Sequence, residues 1–145
     1  MRRLRAAAVL MCALVTASCT PPSHIAKISD DFGVCMRADR GTTYVKTADG
    51  PDYDVGVLTI GQIKVDVYIG YSVGFKGGDW SKVKKPNEGF VLLGTQVKGD
   101  RKKTMLGHRR QSRGPIIVLF DGPNDARISS VLERQDFIVD CDRSG

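Results

Sequence analysis

Apolar and polar residues alternate with a period of two through much of this chain. The clearest stretch is 63–71, where Ile63, Val65, Val67, Ile69 and Tyr71 alternate with Lys64, Asp66, Tyr68 and Gly70. That pattern predicts a strand with one face in a core and the other at least partly wet. Shorter runs predict strands at 34–38, 43–47, 55–60, 90–97, 103–107 and 137–141. Residues 116–120 are continuously apolar, as expected of a central strand covered on both faces. Turn chemistry separates the runs at Asp39-Arg40-Gly41, Asp49-Gly50-Pro51-Asp52 and Asp121-Gly122-Pro123-Asn124-Asp125. Gly61-Gln62, a two-residue link with glycine first, predicts a tight hairpin.

Two segments depart from that period. Ile25, Ile28 and Phe32, stopped by Gly33, stand at helical spacing and predict a short helical turn within 23–32. In 126–134, Ile128, Val131 and Leu132 fit one face of a helix, while 128–131 also tolerates extension. The sum is a mainly β chain, a small antiparallel β-barrel or sandwich of about eight strands with at most one or two short helices.

The first twenty residues follow different rules. Arg2, Arg3 and Arg5 precede an apolar run from Ala6 to Val15, and small residues Ala17 and Ser18 lead into Cys19. A basic head, a short apolar middle and a small-residue end make a secretory signal. The run is too short for a membrane-spanning helix, which needs roughly 20 residues. Thr16-Ala17-Ser18-Cys19 resembles the bacterial lipobox, with Thr16 standing where that motif usually carries leucine. The resemblance implies lipidation of Cys19 and a multi-chain anchor, stable where a single acyl chain binds only marginally. Thr20 in place of the Asp that retains such proteins in the inner membrane implies the outer membrane, periplasmic face. The alternative is cleavage after Ala17 and a soluble periplasmic or secreted protein. Parity favours the lipid: Cys12 leaves with the signal, and Cys19 modified leaves Cys35 and Cys141 as one pair. The expected organisation is a signal at 1–18, an anchor and linker at 19–30 and a single β domain at 31–145. A Cys35–Cys141 bridge would place the first and last strands of that domain side by side, as barrel closure requires.

Without the three signal arginines, 19 basic residues face 16 acidic ones. Their distribution says more than their sum. Residues 76–113 hold eleven Lys or Arg against Asp79, Glu88 and Asp100, while both flanks are mildly acidic. The densest part is Lys98, Arg101, Lys102, Lys103, Arg109, Arg110 and Arg113. Two readings stand: a site for an anionic partner, or a solvated loop or hairpin tip. Nucleic acid is not expected, because no aromatic residue is interleaved for base stacking. Upstream, 72–89 reads as a long Gly- and Lys-rich loop carrying Lys82, Lys84, Lys85 and Trp80, the sole tryptophan. Trp80 is read either as a partner contact or as a cap on one end of the core.

No catalytic constellation is legible. The chain lacks a GxSxG elbow and a GxxxxGK[ST] loop, although Gly74, Gly77 and Gly78 surround Lys76. Asp30, Asp31, Asp140 and Asp142 read as ordinary surface carboxylates, and His108 stands in a basic setting that disfavours its protonated form. Two isolated cysteines with His24 and His108 make a poor zinc set. No enzyme activity, cofactor or metal is therefore expected. In overall plan the chain resembles periplasmic lysozyme inhibitors and the immunity lipoproteins that guard against cell-wall-degrading toxins. That resemblance rests on the lipobox-like signal, the small β domain and the cysteine pair; Ser72-Val73-Gly74-Phe75 departs from the inhibitors' S-G-x-x-Y loop. It implies a non-catalytic protein that binds a hydrolase or toxin, with Trp80, Lys82, Lys84, Lys85, Arg101, Lys102, Lys103, Arg109, Arg110 and Arg113 as contact residues. The other class is an accessory subunit of an envelope machine, docking through a sheet edge.

Overall fold

The computed structural model describes residues 24–83, 89–110 and 114–143. Within them the alternating pattern becomes nine strands: β1 (His24–Ser29), β2 (Val34–Ala38), β3 (Thr42–Gly50), β4 (Tyr53–Ile60), β5 (Ile63–Gly70), β6 (Val91–Lys98), β7 (Arg101–Arg110), β8 (Gly114–Pro123) and β9 (Ile138–Asp140). One helix, α1 (Ala126–Leu132), separates β8 from β9. All pairings are antiparallel. The strands form a six-stranded sheet in the order β3-β4-β5-β8-β7-β6 and a three-stranded sheet in the order β1-β2-β9. The sheets remain separate, so the architecture is a sandwich and not a closed barrel.

Period two decides which side chains lie between the sheets. Val65, Val67 and Ile69 of β5 are almost wholly buried, as are Ile116, Val118 and Phe120 of β8. They meet Val34, Met36 and Ala38 of β2 and Ile138 of β9 in the main core. Burying each such aliphatic side chain stabilises the fold by about 1.5–3 kcal/mol. The opposite face of β8, Ile117 and Leu119, belongs to a second cluster with Met105, Leu93 and Val83, covered in part by Phe75 and Trp80. Both faces of β8 are therefore apolar, which accounts for its unbroken hydrophobic run.

Residues 24–29 do not form the helical turn that the spacing of Ile25, Ile28 and Phe32 predicts. They pair as β1 with β2, His24 opposite Ala38 and Ser29 opposite Val34, with an irregularity between Lys27 and Ser29. Ile28 and Phe32 reach the core, while Ile25 stays 41% exposed on the outer side. Pairing with β2 gives β1 inter-strand hydrogen bonds on one side and carries Ile28 into the core, whereas a single isolated helical turn is costly to nucleate. For 126–134 the helix prevails. Asp125 caps it by accepting from the Arg127 and Ile128 N–H groups, and Ile128 and Leu132, four residues apart, enter the core.

Cys35 and Cys141 form a disulfide with Cα atoms 5.0 Å apart. Cys35 lies on β2 and Cys141 directly follows β9, its hydrogen-bonded neighbour. The bridge thus staples the smaller sheet rather than closing a barrel, and β1 flanks β2 on the other side.

Candidate functional site

Strand β7 carries most of the basic run, and its alternation divides that run between two environments. Lys102, Thr104, Leu106, His108 and Arg110 project toward the smaller sheet and α1; Arg101, Lys103, Met105, Gly107 and Arg109 project outward. The inward cations are held by internal partners. Lys102 Nζ lies 2.5 Å from Glu133 Oε1 and 3.0 Å from Ser129 Oγ, both at α1. Arg110 donates to the Gly33 carbonyl at 3.2 Å and lies 3.5 Å from Asp140. Of the outward ones, Arg101 bridges Asp66 and Asp121 at 3.3 and 2.9 Å, and Lys103 lies 3.7 Å from Asp121.

Arg109 is different. It is exposed, and its guanidinium lies 5.8 Å from the Trp80 ring centroid. Trp80 opens a 3-10 turn, Trp80–Lys82, capped by Asp79, whose carboxylate accepts from the Ser81 N–H and hydroxyl. Those bonds hold the Asp79 carboxyl below its ordinary pKa. The Asp79 N–H donates to the Leu93 carbonyl, tying the turn to β6. Beneath the indole lies Gly107, where a Cβ would meet Trp80 Cη2 at 2.9 Å and collide with Leu93. Glycine in mid-strand permits this close approach. The half-buried ring packs against the second apolar cluster, with the Arg109 guanidinium over it and the exposed Lys82 two residues along the turn. Trp80, Lys82 and Arg109 share one region. Arg101 and Lys103 lie toward the opposite end of β7, about 26 and 20 Å of strand from Arg109. Lys84, Lys85, Arg113 and Cys19 lie outside the described residues.

Two polar clusters sit apart from this face. Asp140, read from sequence as a surface carboxylate, is buried: His108 Nε2 lies 3.3 Å from one of its oxygens, and Arg110 and the Asp142 N–H approach the other. It immediately precedes the disulfide and faces β7, which draws it inward. His108 is wholly buried, its Nδ1 3.0 Å from the Gly89 carbonyl and its ring against Phe90. A carbonyl only accepts, so Nδ1 carries the proton. Burial pushes the His108 pKa below its ordinary value, and the Arg110 charge adds to the decrease against the pull of Gly89 and Asp140. No solvent-facing group on His108 is left to act on a substrate. In the second cluster, carboxylate oxygens of Asp31, Asp49 and Asp54 come within 4.8 Å of one another. Lys46 Nζ sits against all three, at 3.9, 3.1 and 2.8 Å, and supplies the balancing charge. Ser29 hydrogen-bonds the other oxygen of the buried Asp54.

Sequence reasoning passed over His108, Asp140 and Asp54 as structural polar groups. Some signal was present: positions 102, 104, 106, 108 and 110 share a strand face, so a buried Leu106 implies a buried His108. Nothing local marks Asp140 as its partner, which lies 32 residues along the chain. No family model, curated protein or solved structure matches this chain.

Proposed function

We propose that this chain is a non-catalytic, lipid-anchored envelope protein that binds a protein partner through the outward face around Trp80 and Arg109. Its most concrete form is an inhibitor or immunity protein directed at a cell-wall-degrading enzyme or toxin. The observation that carries the reading is the Trp80–Arg109 stack, 5.8 Å from guanidinium to ring centroid, where the Trp80–Lys82 turn packs over the outward face of β7. Tryptophan and arginine are the residues most enriched at binding hot spots, and a pre-positioned ring loses little entropy on contact. Lys82 and Arg109 fit an acidic surface on the partner. Internal partners around Lys46 and the full burial of His108 support a role without catalysis. Both edge strands of the larger sheet, β3 and β6, contain register irregularities, and Lys46 points inward from β3. Such features discourage strand addition, so the face is assigned the contact rather than an edge.

The test is capture of hydrolases from periplasmic and competitor-secreted proteins by the mature, membrane-extracted chain. Trp80→Ala combined with Arg109→Glu should weaken capture by about 30-fold, the effect of losing roughly 2 kcal/mol at a hot spot. Undiminished capture by the double variant, or failure of the wild-type chain to retain any hydrolase, would overturn the proposal.

A further inference from the structure

The two ends of the sandwich differ in what they carry. His24, the start of β1, pairs with Ala38 at the end of β2. The chain then turns into β3, where Thr42 pairs with Ile60, and the Gly61 N–H donates to the Gly41 carbonyl. The start of β1, the β2–β3 turn and the β4–β5 turn therefore share one end. The register of β8, β7 and β6 adds Pro123, Arg101 and Lys98 to it. The opposite end holds Ser29 against Asp54, Gly33 and Asp140 against Arg110, and the Trp80–Arg109 stack.

Five residues, 19–23, separate His24 from the point at which a lipid on Cys19 would begin. Even fully extended they reach only about 18 Å. From Arg101 to Arg109 β7 spans about 26 Å, so this leash is too short to let the domain turn over on a membrane. The tethered end also carries groups suited to a headgroup layer. Arg40, Lys64 and Lys98 are exposed there and make no ion pair among the described residues, against exposed Asp39 and Asp100. Ile25, beside His24, is 41% exposed. Basic groups beside an anchor add attraction to anionic lipid, and an apolar side chain next to it meets the acyl boundary.

We infer that the end of the sandwich bearing His24 is a membrane-contact surface: Arg40, Lys64 and Lys98 meet anionic headgroups, and Trp80 and Arg109 stand at the far end, turned away from the bilayer. This rests on the lipidation of Cys19 proposed above, and the experiment separates the two. The mass of the mature chain reports the lipid; an unmodified Cys19 overturns the anchor and this inference with it. The lipidated full-length chain is then placed in vesicles of phosphatidylcholine, with or without phosphatidylglycerol, carrying dansyl-labelled headgroups. Trp80 is the only tryptophan, so energy transfer from the wild-type chain measures the far end directly. In a Trp80→Phe/Gln62→Trp variant, transfer measures the exposed β4–β5 turn. Transfer should be several-fold greater from the variant than from wild type. Equal or reversed transfer in chains that carry the lipid overturns the orientation while leaving the anchor intact. Adding Arg40→Gln, Lys64→Gln and Lys98→Gln should lower transfer from the variant in phosphatidylglycerol vesicles to its value in phosphatidylcholine alone. No change on that substitution overturns the headgroup contact. Circular dichroism of every variant confirms that it keeps the sheet.

Discussion

His108 shows how one residue ties protonation to stability. Its ring is buried with Nδ1 on a carbonyl, and the charged neighbours facing it are Arg110 and Asp140. Burial lowers its pKa below the value of about 6.5 expected in an unfolded chain. The unfolded state then binds a proton that the folded state refuses, so stability falls as pH drops below about 6.5 and is retained above it. Urea midpoints measured from pH 7.5 to 5 should fall for the wild-type chain. His108→Gln, which keeps a donor toward Gly89 but does not titrate, should flatten that slope while costing about 1–3 kcal/mol throughout. An unchanged slope in the variant would assign the pH dependence to another group. The sequence suggested the direction of the shift through neighbouring basic residues. It missed the larger cause, burial, because strand alternation places the ring inside while composition suggests surface.

At the scale of elements, β7 and the turn at Trp80 act as one unit. Seven consecutive positions from Lys103 to Arg109 alternate between the two sides of the larger sheet, and Gly107 is the single position where the outer side must be bare. Gly107→Ala would drive a methyl against Leu93 and Trp80, costing about 1–3 kcal/mol as overpacking does. The indole would be displaced, so the variant should shift Trp80 emission to longer wavelength and weaken partner capture together. A destabilised variant with unaltered emission would mean that the glycine serves β7 alone. The strand itself was legible from sequence over 103–107. Its extension to Arg101 and Arg110 was not, because charged ends read as loop until their partners on α1, β8 and β9 are known.

For the whole molecule, the Cys35–Cys141 bridge spans a sequence separation of 106 residues. Cross-links over loops of that length constrain the unfolded chain by about 4.7 kcal/mol in the entropy model, and measured values run about 2–5 kcal/mol. Cys35→Ser/Cys141→Ser should therefore lose about 2–4 kcal/mol in urea denaturation. With Cys35 only 4% exposed, the wild-type bridge should resist mild reductant in native buffer and yield once the chain is unfolded. Rapid reduction in native buffer would show that the smaller sheet opens on its own. The same sheet carries His24, so its stability also bears on how firmly that end of the sandwich is built.

Local pattern alone determined a good deal. Period two fixed most of the strands and the inward residues of β5 and β8, because pleating sends alternate side chains to opposite faces whatever the neighbours are. Cysteine parity pointed to the pair that the fold joins, since few alternatives remained. Tertiary structure alone decided the rest: that 24–29 is a strand, that the sheets stay open as a sandwich, and that the basic run divides between internal ion pairs and an open face beside Trp80. Each depends on contacts between residues far apart in sequence, where pairing energy outweighs local preference and no short window of sequence contains both partners.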